Sequence, residues 1–183
     1  RRFVLGWKKL GYEQRFQAQI VNYADDFVIC CRGSAEDAKR AMQKLMERLG
    51  LTVNEAKTRV CQVPDESFDF LGYTIGRCYS TQTGKAYIGT RPSKKRITRV
   101  CGTIHEMTSS RWLMLDAQDR VVRLNRLLRG WANYFCLGPV SKAYRAVDAH
   151  ARYRLRWWLC RKHKVRGRGT TRFSDEYLDR TLG

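Results

Sequence analysis

The chain has 183 residues, of which 43% are hydrophobic and 11% aromatic, and this composition excludes wholesale disorder. Its formal net charge is +19, unevenly spread: residues 1–90 hold 14 basic and 10 acidic side chains, whereas residues 91–183 hold 22 and 7. The second half is therefore the expected contact for a polyanion. The aromatic side chains among its arginines favour nucleic acid over a membrane surface, and no apolar run approaches the roughly 20 residues that span a bilayer.

The first half alternates strand and helix signals. Two β-rich runs, "AQIVNY" and "DFVICC", flank a tight turn at the acidic pair Asp25-Asp26. Ser34 predicts a helix cap with Asp37 three residues later, and Gly50 ends that helix after one apolar stripe. Further strands are predicted at "LTVNEAKTRVCQV", "FDFLGYTIG" and "KAYIGTRP", with bends or turns at Gly72, Gly76 and Gly84.

Beyond Pro92 the pattern becomes helical. Ser93 predicts the cap of one helix, a second helix runs from about Ala117 to Phe135, and a third runs from Val140 to about His163. The tail after these helices is rich in glycine and charge, and it is not expected to pack before Phe173. The predicted fold class is therefore α+β: an antiparallel sheet with a helix, followed by an all-α region, with a boundary near residue 91.

The adjacent carboxylates of Asp25 and Asp26 have three reasonable roles. An exposed turn pair is the commonest role for two aspartates in a turn. An acid/base dyad is less attractive, because side chains alternate across a strand and neighbouring aspartates tend to point apart. A magnesium site is chemically coherent, since this ion usually takes one or two carboxylates together with substrate phosphates.

Three blocks of the first half resemble the reverse transcriptases encoded by group II introns. The blocks are Tyr23-Ala24-Asp25-Asp26, the run "LTVNEAKT" at 51–58, and "FDFLGY" at 68–73, and they occur in the family's order with one predicted helix between the first two. Downstream, "LNRLLRGWANYF" at 124–135 resembles the RNA-binding maturase domain of the same proteins. The resemblance covers nearly the whole chain.

The resemblance implies a role for each matched residue. Asp25 and Asp26 would be catalytic ligands of two magnesium ions that activate the primer 3′-hydroxyl and neutralise the incoming deoxynucleoside triphosphate. Tyr23 and Ala24 would shape the turn near the primer terminus, and Lys57 would lie near the triphosphate or the nucleic-acid backbone. Simple hairpin packing for Tyr23 and an ordinary surface position for Lys57 are the alternatives. Asn54 is expected to fix its own turn by a side-chain hydrogen bond. The remaining matched block would be a primer grip, with a core of apolar side chains and a close approach to the primer at Gly72.

The helical half would comprise a thumb followed by the maturase domain. The implied domains are the C-terminal part of the palm at 1–90, a thumb helix and linker at 91–115, and the maturase-like region at 116–183. Basic residues there are candidate phosphate contacts, and Trp131, Tyr134 and Phe135 are candidate base-stacking groups, although helical spacing favours a core position for Trp131 and Phe135. The RNA-binding candidates are Arg126, Arg129, Trp131, Tyr134, Arg145, Arg152, Arg154, Arg156, Lys162 and Lys164.

The chain departs from the family pattern ahead of Tyr23. The family's fingers and a further metal-binding aspartate precede this block, whereas only 22 residues without an aspartate precede it here. We therefore expect a C-terminal fragment that does not polymerise by itself. Two hypotheses stay open: part of an RNA-directed DNA polymerase acting on an RNA template with a DNA primer, or a non-catalytic maturase module that binds group II intron RNA and assists splicing.

The seven cysteines bear on the compartment. They are odd in number, scattered, and contain no CxxC pair, which argues against a disulfide framework or a zinc site and fits a reducing environment. The first residues also lack the apolar core of a signal peptide. We therefore expect a soluble, cytoplasmic protein without a membrane partner.

Overall fold

The computed structural model describes residues 2–179. It divides into two compact units, residues 1–62 and 63–183, of which the described parts are treated separately below. Together they contain helices and two small antiparallel sheets, so the α+β class is confirmed. The compact units do not by themselves define functional domains, and the boundaries at 91 and 116 stay predictions.

The first unit consists of three helices, one hairpin and a short 3-10 turn. Its elements are α1 (Arg2–Lys9), α2 (Tyr12–Arg15), β1 (Ala18–Tyr23), β2 (Asp26–Cys31), α3 (Ala35–Arg48) and the 3-10 turn Glu55–Lys57. Helix α3 begins as predicted, because the Ser34 hydroxyl accepts a hydrogen bond from the Asp37 amide at 3.2 Å. Its inner face buries Ala38, Met42 and Leu45, and Gly50 follows its end with a φ of +67°.

The hairpin places its two faces in different surroundings. Strands β1 and β2 pair antiparallel with Tyr23 opposite Asp26, so only Ala24 and Asp25 form the loop. Ile20, Phe27 and other residues of one face pack on a core that surrounds the fully buried ring of Trp7. The opposite face is open within this unit.

The predicted strand at residues 51–63 is wrong. The structure has the 3-10 turn there instead, with Asn54 as its cap: the Asn54 side-chain oxygen accepts from the Lys57 amide at 3.2 Å. The Asn54 carbonyl also accepts a hydrogen bond from the Thr58 hydroxyl at 2.9 Å. Because these local bonds use the backbone groups that a strand would give to a partner, the turn replaces the strand. The turn-fixing role expected for Asn54 is confirmed.

The second unit begins with a three-stranded antiparallel meander and continues with helices. Its elements are β3 (Phe68–Phe70), β4 (Tyr73–Tyr79), β5 (Ala86–Pro92), α4 (Lys94–Met107), the 3-10 turn Ser110–Trp112, α5 (Ala117–Tyr134), α6 (Ser141–Lys162) and α7 (Asp175–Tyr177). Leu71 and Gly72 form the loop between β3 and β4, and both have positive φ, at +51° and +84°. Gly84 is also in a turn, whereas Gly76 lies inside β4, where a Cβ would strike Ser67.

Helices α4, α5 and α6 enclose the core of this unit. Val100 and Ile104 of α4, Val121 and Leu124 of α5, and a longer set from α6 meet there, with Trp158 of α6 fully buried. Ser93 caps α4 as predicted by accepting from the Arg96 amide. The tail agrees with the prediction in part: Phe173 joins the core and Leu178 is buried beside it, but Val165 already packs against this core before Phe173.

Candidate functional site

The acidic pair lies at the exposed tip of the first hairpin. Ala24 has a φ of +49° and is the only residue of the two-residue loop with positive φ, which is the sign pattern of a type II′ turn. Asp25 follows it in the loop, and Asp26 opens β2 opposite Tyr23. Both aspartates are exposed, so their carboxylates are accessible from solvent.

The open face of this hairpin carries apolar side chains together with Asp26. Because side chains alternate, Val21, Tyr23, Asp26 and Val28 share this face. Val21 and Tyr23 are 51% and 64% exposed. The hairpin therefore presents an apolar surface that ends in the carboxylate of Asp26.

The donor set fits part of a magnesium site. Carboxylate oxygens are the hard ligands that this ion prefers, and one or two of them suffice when substrate phosphates complete its coordination. Within residues 2–179, however, no three His, Cys, Asp or Glu side chains lie close enough to hold a metal ion together. The residues present thus provide the acidic pair but no third protein ligand.

The turn between β3 and β4 is held by two reciprocal tyrosine hydrogen bonds. The Tyr73 hydroxyl donates to the backbone carbonyl of Tyr134 at 2.6 Å, and the Tyr134 hydroxyl donates to the carbonyl of Leu71 at 2.9 Å. The two rings are also stacked, with centroids 6.2 Å apart. The expected primer-grip block is therefore fastened to the end of α5.

All three candidate base-stacking residues are engaged within the protein, and Phe135 is buried. Trp131 is partly buried and packs on the rings of Phe135 and Tyr144, with centroid distances of 5.0 and 5.9 Å. Tyr134 is 56% exposed, but its hydroxyl and ring serve the turn just described. These contacts favour packing for Trp131 and turn positioning for Tyr134.

Two predicted phosphate contacts on α6 form ion pairs with the segment that follows it. The Arg152 guanidinium donates to the Asp179 carboxylate at 2.8 Å, and this hydrogen bond raises the pKa of Arg152. Arg156 pairs with Asp175 and also donates to the Phe173 carbonyl at 2.7 Å. Lys162 is similarly engaged, since its ammonium donates to the carbonyls of Leu113 and Leu115.

The contacts of Arg154, a predicted phosphate contact, favour a packing role instead. It is 7% exposed, and its guanidinium donates to the Thr108 hydroxyl at 3.1 Å and to the carbonyls of Thr108 and His105. Burial lowers the pKa of its guanidinium. The helical spacing could have predicted this burial, because Arg154 follows the buried Ala151 by three residues and precedes the buried Trp158 by four.

The remaining basic candidates are exposed. Arg126 and Arg129 are three residues apart on α5 and share a face, to which Arg123 adds a third exposed arginine by the same spacing. Arg145 is exposed near the start of α6, and Lys164 is exposed just after its end. The prediction missed Arg123, although its i,i+3 relation to Arg126 could have revealed it.

Two arginine side chains pack against the ring of Trp157, a contact that the sequence did not predict. The guanidinium carbons of Arg154 and Arg161 lie 4.5 and 4.4 Å from the Trp157 ring centroid. The Arg161 guanidinium also donates to the Ser110 hydroxyl at 3.1 Å. Of the two, only Arg161 is exposed, and these contacts order its side chain on the surface and lower the entropy that it would lose on binding an anion.

Lys57 is the last residue of the 3-10 turn, and it is exposed. Its backbone is fixed by Asn54, whereas its side chain is accessible to an anionic ligand. The triphosphate or backbone role of Lys57 stays a prediction.

Comparison with known families gives one match in the first half of the chain and one in the helical half. Residues 8–75, which contain the acidic hairpin, match the family model "Reverse transcriptase (RNA-dependent DNA polymerase)". Residues 97–174, which contain α4 to α6, match "Group II intron, maturase-specific domain". In this order, the chain is similar to reverse transcriptases in its first half and to the group II intron maturase domain in its helical half.

Two curated relatives are encoded by introns. The chain is 26% identical over 140 residues to "Uncharacterized 91 kDa protein in cob intron" of Schizosaccharomyces pombe, a match that covers 67% of the chain and 17% of that protein. It is 40% identical over 60 residues to "Putative COX1/OXI3 intron 1 protein" of Saccharomyces cerevisiae, which covers 31% of the chain and 7% of that protein. The chain thus spans a small part of the relatives that it matches. Among residues 2–179, no helix is both long and apolar enough to cross a membrane.

Proposed function

We propose that this chain is part of an RNA-directed DNA polymerase and intron maturase. In this proposal, the hairpin contributes catalytic carboxylates, and the basic helices bind group II intron RNA. The observation that carries the polymerase role is the exposure of Asp25 and Asp26 at a hairpin tip, within the segment that matches reverse transcriptases. The substrates would be an RNA template with a DNA primer and deoxynucleoside triphosphates, in a reducing cytoplasm.

Asp25 and Asp26 would hold magnesium at the primer terminus. When bound, this metal supplies Lewis-acid polarisation of phosphoryl oxygens and activation of a hydroxyl nucleophile. The chain's own part is to fix the two carboxylates on a hairpin whose other face is anchored in the core around Trp7. Tyr23, opposite Asp26, would border the primer terminus, and Ala24 would set the loop that presents Asp25.

A complete two-ion site needs a further ligand from outside the described residues. This part of the proposal is supported by the lack of a third carboxylate, thiol or imidazole close to the pair in residues 2–179. We accordingly expect the 183-residue chain to extend no primer by itself. Extension that disappears in Asp25→Asn would contradict the incomplete-site proposal while supporting the catalytic role.

Binding of manganese in place of magnesium tests the metal role independently of activity. Paramagnetic broadening of amide signals should be centred on the hairpin loop and should disappear in Asp25→Asn/Asp26→Asn. Glu47→Gln removes an exposed carboxylate from α3 of the same unit and should leave the broadening intact. Broadening that survives the double substitution would remove Asp25 and Asp26 from the metal site.

The alternative function is a non-catalytic maturase module that binds intron RNA. It is favoured by the exposed arginines of α5, because these do not depend on a completed metal site. Replacing Arg126, Arg129 and Arg145 by glutamine should reduce the salt dependence of binding to structured RNA, by about one unit of slope for each lost phosphate contact. The matched control replaces the same number of exposed basic residues in the first unit, Lys9, Lys44 and Arg48. Equal slopes for the two variants would exclude α5 and Arg145 from the interface.

A further inference from the structure

Arg120 is a buried cation without an acceptor from the protein. It lies near the start of α5 and is only 3% exposed. Its Nε is buried and makes no hydrogen bond, and within residues 2–179 its guanidinium has no carboxylate partner. Burial of a guanidinium is costly unless its donors are hydrogen-bonded. Arg120 therefore needs an acceptor that the described residues do not supply.

Arg154, which is also buried, shows the acceptors that such a group ordinarily has. Its guanidinium donates to the Thr108 hydroxyl and to the carbonyls of His105 and Thr108. Arg120 has an aromatic ring instead, since its guanidinium carbon lies 5.1 Å from the ring centroid of Trp112. This cation–π contact is attractive, but it supplies no oxygen to the N–H donors. The contact with Trp112 does not replace the hydrogen bonds that Arg154 makes.

The surroundings of Arg120 are positively charged. The guanidinium carbon of Arg111 lies 4.8 Å from the centroid of the same Trp112 ring, so two cations contact one indole. Burial, and then the charge of Arg123, lower the pKa of Arg120. The carboxylate of Asp116, at the start of α5, is already engaged because it accepts from two backbone amides of the helix. An anion beside this ring would relieve the local excess of positive charge.

We propose that Arg120 and Arg111 form a site for a phosphate group beside the Trp112 ring. Phosphate oxygens accept from guanidinium nitrogens at about 2.8 Å, and one phosphate can bridge two arginines. Its oxygens also point in more than one plane, so it suits two guanidinium groups at different angles better than a planar carboxylate does. The buried Arg120 is the fixed donor, and the exposed Arg111 can turn toward the ion.

Binding is tested by NMR of the full chain labelled with ¹⁵N-arginine, in which the Nε–H signal of Arg120 is assigned by its loss in Arg120→Met. Inorganic phosphate, added at constant ionic strength, should shift this signal with saturation and a dissociation constant on the order of 1 mM. Arg111→Met should weaken binding about tenfold, because it removes one charged donor. The control Arg99→Met removes an exposed arginine from α4 and should leave the titration unchanged.

Thermal unfolding separates a binding site from a purely structural role of the same cation. Because Arg120 has no acceptor in the described residues, Arg120→Met should not lower the melting temperature in phosphate-free buffer. Phosphate at ten times the dissociation constant should raise the melting temperature of the unsubstituted chain by about 4 °C more than that of Arg120→Met. The comparison between the two chains cancels the general stabilising effect of phosphate.

An Arg120 signal that does not saturate with phosphate or with RNA, or that responds equally to acetate, would overturn the phosphate site. A large decrease in the melting temperature of Arg120→Met without phosphate would also overturn it, since the contact with Trp112 would then be the role of this cation. A saturable response to inorganic phosphate supports a site for the free ion, whereas a response to single-stranded RNA alone supports a site for a phosphodiester. Because inorganic phosphate is the first probe, failure of this proposal leaves the proposed function standing.

Discussion

The two tyrosines at the β3–β4 turn allow a quantitative prediction about how this turn is stabilised. Each hydroxyl donates to a backbone carbonyl rather than to the other hydroxyl, at 2.6 Å for Tyr73 and 2.9 Å for Tyr134. Phenylalanine at either position therefore removes one hydrogen bond, keeps the ring contact and leaves the other bond in place. The two substitutions should act almost independently.

Their magnitudes should differ because the two side chains differ in exposure. Tyr73 is 9% exposed, so Tyr73→Phe leaves a partly buried carbonyl without its donor, and it should lower the free energy of unfolding by about 1.5 kcal/mol. Tyr134 is 56% exposed, so water can replace its hydroxyl, and Tyr134→Phe should cost about 0.5 kcal/mol. The double variant should lose about 2 kcal/mol, with a coupling energy below ~0.5 kcal/mol.

Urea denaturation at a constant m-value measures these changes. Tyr79→Phe, in an exposed position of β4, is the control and should lie within ~0.5 kcal/mol of the unsubstituted chain. The reasoning is refuted if Tyr134→Phe costs more than Tyr73→Phe. It is also refuted if the double variant shows strong coupling, since the two bonds would then not be independent.

Three further predictions follow from the same unit. Burial raises the pKa of Tyr73, so the folded chain keeps this proton to a higher pH than the unfolded chain does. The contribution of this group to the free energy of unfolding should therefore be constant below the ordinary tyrosine pKa of about 10 and should decrease above it. Alkaline unfolding should show this decrease, and the decrease should be smaller in Tyr73→Phe. Arg154→Lys should lower the free energy of unfolding by about 2 kcal/mol in chemical denaturation, because a lysine cannot serve all three acceptors, two of which are buried. Arg126→Lys, at an exposed site, should be near neutral, and equal costs would contradict the packing role. Gly72→Ala should lower the melting temperature more than Gly84→Ala, since both have positive φ but only Gly72 lacks room for a Cβ; the reverse order would argue against the packed turn.

The sequence determined the elements whose signals are local. The bounds of the first hairpin followed from two β-rich runs around a two-residue loop, and the starts of α3 and α4 followed from Ser34 and Ser93. Each of these features depends on residues within a few positions of one another. The exposure of Asp25 and Asp26 at a turn is of the same kind.

The wrong strand at residues 51–63 shows where local signals compete. The β-branched residues there favour a strand, but a strand also needs a partner with free backbone groups. Asn54 offers the backbone a nearer acceptor, so the segment forms a 3-10 turn. Propensity alone does not decide between these two outcomes.

Only the tertiary structure decided which basic and aromatic side chains remain accessible. Arg126 and Arg154 are both helical arginines in the basic half, yet Arg126 is exposed and Arg154 is buried against Thr108, 46 positions earlier in the chain. Tyr134 similarly acquires its acceptor from Leu71, 63 positions away. A buried guanidinium is tolerated only where such distant groups supply acceptors. Helix packing therefore determines which arginines stay exposed, because it brings those acceptors close to some guanidinium groups and not to others.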